Sequence, residues 1–230
     1  IAIDRSDALS VDPELKKTSV VYNFVNLNEY KPSAVSADFR SELHLPKGCV
    51  VYLYLARFSP GNGALELVRE CANIREESIQ FVFAGLHENG LDRYERRVAK
   101  AAQGLSNVHL LPFRSDVVEM IAAADAVICP FTKPHFSRAV IEAAAMGKPC
   151  VASRLGPLTE IVLPEETGLF FDSARFESIR EPIRRLAGDP ALRQRLGQRA
   201  AAFARERFNA DRNARETFEV YREVLNDNQI

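Results

Sequence analysis

The sequence is poor in the features that most quickly assign a protein to a class. No apolar run approaches the ~20 residues needed to span a bilayer, and no stretch has a signal-peptide pattern. Charge of one sign is also missing. Thirty Lys and Arg against 31 Asp and Glu leave a net charge of -1, so no whole-chain field draws the protein to nucleic acid or to an acidic membrane. The four cysteines, Cys49, Cys71, Cys129 and Cys150, form no CxxC or Cys/His ligand spacing and sit in or beside apolar runs. They predict buried free thiols in a reducing compartment. Neither a GxGxxG dinucleotide motif nor a P-loop is present. These absences point to a cytoplasmic protein without a nucleic-acid partner. A peripheral contact at the inner face of the membrane stays open.

What is present is core material. With 230 residues, 47% of them hydrophobic, the chain can build one large domain or two small ones. From Cys49 onward, short apolar runs alternate with longer amphipathic ones. The apolar runs are 49–56, 79–85, 108–113, 126–131, 149–153 and 168–171, rich in Val, Ile, Leu and Phe as strands buried on both faces require. Helices are expected at 63–74, 91–103, 116–124, 137–146 and 157–163. Strict alternation predicts an α/β fold: a doubly wound, Rossmann-like parallel sheet of about six strands, with helices on both faces. A barrel would need more repeats than the chain can hold.

Three helices, at about 173–187, 190–208 and 210–226, close the chain. Residues 175–222 carry twelve arginines against seven acids. Solvated helix faces explain this, and so does a basic face for anionic lipid or a partner domain. At the other end, residues 1–17 begin with Ile and are too polar to form a core alone. They read as a linker or the remnant of a preceding domain. "TSVVYNFV" (18–25) is expected to add a strand that ends in a turn at "NLNEYKPS" (26–33).

Ligands of open parallel sheets sit beyond the carboxyl ends of the strands, and two loops there carry suitable chemistry. "ARFSPGNGALELV" presents Arg57, a turn at Pro60 and Gly61, and Gly63 for close backbone approach. It fits a phosphate, and equally a surface turn with a salt-bridged Arg. "HFSRAVIEAAAMGKPC" places Ser137 as the N-cap of a helix whose first N–H groups, at Arg138, Ala139 and Val140, point outward to an anion. Glu142, one and a half turns in, is the single acid of that helix. It can reach a sugar hydroxyl beyond the phosphates, or pair with Arg138 four residues earlier.

Together these loops, with "HLLPFRSDVVEMIAAADAVICPF", "GPLTEIVLPEETGLFF" and the Glu-Ala-x-Ala-x-Gly-x-Pro core at 142–149, resemble the C-terminal domain of the family 4 (group 1) retaining glycosyltransferases of GT-B fold. The resemblance runs from about Val20 to the C-terminus. It implies a donor domain over 18–209, a helix over 210–230 that packs on an N-terminal domain, and no metal or other cofactor. The implied ligand is a nucleoside diphosphate sugar, UDP- or GDP-linked. Arg57 would bind the diphosphate together with the loop at Asn62 and Gly63, the N–H groups of 138–140 would face the phosphates, and Glu142 would hold the ribose. Leu111, Pro112 and Phe113 would contact the base, partly through backbone.

Two positions depart from the family's pattern. Asn62 stands where a Lys is usual, and Pro134 stands where a first glutamate would hold the transferred sugar. Arg138 is placed to supply the missing cation, and His135, beside Phe136, to meet the sugar. The implied activity is retaining transfer to a glycan or lipid-linked acceptor bound by the N-terminal domain, with residues 1–230 alone inactive. The two departures keep open a non-catalytic nucleotide-sugar binding or scaffold domain that partners an active transferase. An epimerase of the same architecture fits the Glu142 block less well.

Overall fold

The computed structural model describes residues 1–31, 39–87 and 90–227. Its centre is strand β1 (Val50–Leu55), apolar at every position. The two-residue period of a strand sends Val50, Tyr52 and Tyr54 to one face and Val51 and Leu53 to the other, each into its own buried cluster. Strands β2 (Ile79–Leu86), β3 (Val108–Pro112), β4 (Ala126–Cys129), β5 (Cys150–Ser153) and β6 (Gly168–Phe171) complete a six-stranded sheet in the order β3-β2-β1-β4-β5-β6. Every pairing is parallel. The doubly wound sheet is therefore as expected.

The helices are α1 (Arg5–Val11), α2 (Phe39–Glu42), α3 (Ala64–Cys71), α4 (Arg93–Ala102), α5 (Val117–Ala123), α6 (Arg138–Ala145), α7 (Leu158–Ile161), α8 (Arg180–Gly188), α9 (Pro190–Arg207) and α10 (Ala210–Asp227). Helices α3, α4 and α8 cover the face that carries Tyr52 and Phe81. Helices α2, α5, α6 and α7 cover the opposite one. Helix α9 joins the two, with Leu192 and Leu196 in the first cluster and Ala200 and Ala204 in the second. Tyr52 is fully buried yet not orphaned, because its hydroxyl donates to the Ile183 carbonyl at 2.6 Å. Without that acceptor the buried hydroxyl would cost about 1–3 kcal/mol.

The order of the strands decides where a ligand can enter. The chain winds outward from β1 to β3, then returns to place β4 on the other side of β1. The direction reverses between β1 and β4, which opens a crevice beyond their carboxyl ends. The loops after these two strands are 56–63 and 130–137, the two marked by the sequence.

Several local expectations need correction. Residues 18–25 form no strand. Only single bridges are made, Ala2 with Val20 and Val25 with Asn209, because the segment crosses between the N-terminus and the α9–α10 junction and never reaches a sheet edge. Its turn is present, with Glu29 and Tyr30 donating to the Asn26 carbonyl, whereas Pro32 and Ser33 lie outside the described residues, as do 228–230. The helix expected from Ser173 starts late, since Asp172 first accepts N–H groups from Ala174 and Arg175 and a 3-10 turn at Phe176–Ile179 precedes α8. Separately, the start of α1 contacts the domain, where the Glu160 carboxylate accepts the N–H groups of Arg5 and Ser6 at 2.9 and 3.0 Å.

The arginine-rich helices also resolve. Seven of the twelve arginines pair with carboxylates: Arg175, Arg180, Arg184, Arg185, Arg199, Arg212 and Arg222. Arg193 and Arg195 donate to backbone carbonyls, and Arg207 lies over the Tyr22 ring. This is the pattern of solvated, internally neutralised helix faces rather than of a free cationic surface. Among the described residues no helix is long and apolar enough to cross a membrane.

Candidate functional site

Helix α6 starts where the sequence places it, at N-cap Ser137, but not by the expected bond. The Ser137 side chain caps nothing. It is buried, and its hydroxyl is turned to the Cys129 thiol at the end of β4. The first N–H groups of the helix have no intrahelical acceptor and no side-chain cap. They are left, with the positive end of the helix dipole, facing a cavity.

The loop after β1 is built against the same cavity. The Arg57 carbonyl accepts from Asn62 Nδ2 at 2.8 Å and from the Tyr54 hydroxyl at 3.2 Å, which anchors the root of the arginine. The guanidinium itself is exposed and has no carboxylate partner among the described residues. Gly63 has φ +72°, and a Cβ there would lie 1.9 Å from the Pro130 carbonyl oxygen. Only glycine permits that approach. The two loops are further joined by Thr132 N–H to the Gly61 carbonyl at 2.9 Å, Lys133 N–H to the same oxygen at 3.3 Å, and the Thr132 hydroxyl to the Pro60 carbonyl at 2.8 Å. The two loops are thus one hydrogen-bonded unit.

The cavity has a volume of about 1050 Å³, ample for a nucleotide sugar. Of the residues expected at the site, Arg57, Asn62, Phe113, His135, Phe136, Ser137, Arg138, Ala139 and Glu142 line it. Gly63, Leu111, Pro112 and Val140 do not. Gly63 works from beneath, by letting the two loops touch, and Val140 is buried in the core, leaving only its backbone for a ligand. Leu111 packs into the cluster under α5, and Pro112 ends an edge strand. Of that trio only Phe113 reaches the cavity, its ring 65% exposed and its N–H bonded to the Leu86 carbonyl at 2.8 Å. Phe136 is chiefly a core residue, 8% exposed. His135 is exposed, its ring tilted against Phe131 with centroids 5.2 Å apart.

Glu142 answers the question posed by its position in two ways. Arg138 Nη2 lies 3.3 Å from its Oε1, so the helical pair forms. The carboxylate also lines the cavity, where it takes a hydrogen bond from Tyr30. Burial raises its pKa, opposed by the Arg138 charge and the Tyr30 hydrogen bond. Tyr30 is itself pushed up to about 12, first by burial and then by the facing carboxylate. This contact was invisible in the sequence, because 112 residues separate the partners and a turn has to bring Tyr30 back over α6. Lys133, Gly85, Asp7 and Arg114 are further lining residues that the sequence did not single out. Gly85 alone had a signal: a glycine at a strand end, here with φ +137° and pressed so close that a Cβ would lie 2.2 Å from the Ala56 carbonyl oxygen.

Among the described residues, His87, Asp92 and Glu95 could surround a metal ion. Their geometry already has a structural explanation. The buried Glu95 carboxylate accepts from the N–H groups of His87 and Asp92 and from His87 Nδ1, completing the capping box of α4.

Comparison with known proteins bears on the family and the fold. Residues 35–203 match the family described as "Glycosyl transferases group 1". A D-inositol 3-phosphate glycosyltransferase from Streptomyces bingchenggensis is 31% identical over 227 residues, covering 93% of this chain and 49% of that protein. One from Salinispora arenicola is 31% identical over 239 residues, covering 97% and 52%. The chain therefore spans about half the length of these relatives. Among solved structures, a glycosyltransferase from Rickettsia africae superposes with a TM-score of 0.87 at 18% identity, covering 97% of this chain and 62% of that one. Anabaena HepE, solved in complex with UDP and glucose, superposes with a TM-score of 0.85 at 22% identity, covering 96% and 62%. These structural likenesses speak to the fold.

Proposed function

The chain belongs to the group 1 glycosyl transferases, and from that premise we propose that it is the nucleotide-sugar-binding part of a retaining transferase that acts without a metal. The observation that carries the proposal is the phosphate corner. A helix start without a side-chain cap and an arginine with no carboxylate partner among the described residues, on loops bonded to each other at the switch point of the sheet, face one cavity. A diphosphate there meets N–H donors from α6 and the Arg57 charge without rearrangement.

Glu142 would then hold the ribose hydroxyls, with Tyr30 and Arg138 fixing its rotamer. The base would extend past Gly85 toward Phe113, and the sugar toward His135. As the bond from the sugar to the diphosphate breaks, its electron pair passes to the leaving phosphate. Fixed positive charge and the helix dipole would stabilise the anion that develops. The acceptor, a glycan or lipid-linked alcohol, would be bound outside residues 1–230, so this chain by itself is expected to bind donor without transferring sugar.

Two observations favour a second reading, a nucleotide-sugar binding or scaffold domain that partners an active transferase. The Asn62 amide is spent on the Arg57 carbonyl, and Pro134 offers the cavity no side-chain acceptor. Titration of UDP and GDP into the chain, followed by amide NMR, should shift 57–63, 111–113 and 136–142 together. Shifts confined to the arginines of α8 and α9 would refute the site. Donor hydrolysis or transfer by a chain extended to the length of the relatives separates the two readings, since binding without turnover leaves only the second.

A further inference from the structure

We infer that Lys133, on the loop after β4, supplies the second cation of the phosphate corner. The inference rests on the donor-site reading and adds a residue and a charge to it. Asn62 cannot serve as a cation, and its side-chain N–H is engaged with the Arg57 carbonyl at 2.8 Å. Arg138 is held 3.3 Å from Glu142. Arg57, with no carboxylate partner among the described residues, is thus the one cation the first loop offers to a proposed ligand with two phosphates.

Lys133 is positioned to share that load. Its N–H binds the Gly61 carbonyl at 3.3 Å, beside the Thr132 N–H on the same oxygen. Its stem lies over Gly61, with Cδ, Cβ and Cγ 3.6, 3.7 and 3.8 Å from the point a Cβ on Gly61 would occupy. The side chain therefore crosses from the second loop onto the first and reaches the neighbourhood of Asn62 through space. It is exposed, lines the cavity with Arg57, and has no carboxylate partner among the described residues. A strongly hydrated ammonium with a free charge and a supported stem suits a phosphate oxygen as a point-charge contact.

The test compares the unsubstituted chain with Lys133→Met, which keeps the stem on Gly61 and removes the charge, and with Lys133→Arg, which keeps the charge. UDP, GDP, uridine and guanosine are titrated calorimetrically into each. Lys133→Met is expected to weaken the preferred diphosphate about tenfold and leave the matching nucleoside within about twofold. Lys133→Arg should stay within about threefold of the unsubstituted chain for both. Diphosphate affinity unchanged in Lys133→Met, an equal loss for nucleoside, or a loss in Lys133→Arg as large as in Lys133→Met would each overturn the inference alone. If the unsubstituted chain bound neither UDP nor GDP, the donor-site reading itself would fall, and this inference with it.

Discussion

The two ends of the cavity are built differently. At the end proposed for phosphate, loops 56–63 and 130–137 are locked mainly by backbone hydrogen bonds and by the contact of Gly63 with Pro130, which only glycine permits. At the other end, the loop after the edge strand β3 offers an exposed residue, Phe113, whose N–H binds the Leu86 carbonyl, and is held through side chains, with Arg114 bridging to Glu42 and Asp116. Diphosphate is common to the proposed UDP- and GDP-linked donors, whereas base and sugar distinguish them. The end proposed for the shared group is held mainly through backbone, and the end proposed for the variable group through side chains that substitution can change.

The sharpest way to break this comparison is Gly63→Ala. Left-handed strain and the collision with the Pro130 carbonyl together should cost roughly 2–5 kcal/mol of stability, read from urea unfolding. An unchanged midpoint would mean that the two loops are not locked. Arg57→Ala comes next. Loss of a charge-assisted contact should weaken UDP or GDP binding by about 1.5–3 kcal/mol while sparing the nucleoside. Phe113→Ala should act in the opposite sense, with a loss of about 1 kcal/mol shared equally by nucleoside and diphosphate. Equal behaviour of Arg57→Ala and Phe113→Ala toward the two ligands would erase the distinction between the ends.

The smallest effect is on stability at Glu142. Its pKa is raised above the ordinary 4.5 by burial, so its favourable contribution is present below that value and is lost as pH rises through the raised native one. Glu142→Gln removes this titration. Its melting temperature relative to the unsubstituted chain should therefore increase from pH 4 to pH 7, even as nucleotide affinity falls. A difference that stays flat with pH would show that Arg138 and Tyr30 offset the burial completely.

The C-terminal helices offer a second contrast. Helices α9 and α10 are 18 residues each. Yet α9 buries Leu192, Leu196 and four small residues against the domain, while α10 leaves Phe218, Tyr221, Val224 and Leu225 between 54% and 66% exposed. The sequence expectation that 210–230 packs on an N-terminal domain is consistent with that exposed apolar stripe and stands as a proposal.

Much of this molecule was legible in one dimension, and the reasons are local. Runs such as Cys49–Ala56 and Ile79–Gly85 are too short and too uniformly apolar for anything but strands buried on both faces. The start of α6 and the turn at Gly61 are set by neighbouring residues. Where the reading failed, the determinant was distant. Residues 18–25 have strand composition, but no sheet edge lies within their reach. Ser137 occupies the N-cap and turns to Cys129, a neighbour that only the packing of α6 on β4 provides.

The sequence by itself determined the six strands and most of the helices, the two loops that follow β1 and β4, and the glycines where backbone must nearly touch backbone. Those follow from periodicity, capping and steric freedom, all of which act over a few residues. Only the tertiary structure decided that both loops share one cavity, that Tyr30 meets Glu142, and that Lys133 lies over Gly61. Such contacts depend on strand order. Because β4 returns to lie beside β1, residues more than 70 positions apart become first neighbours.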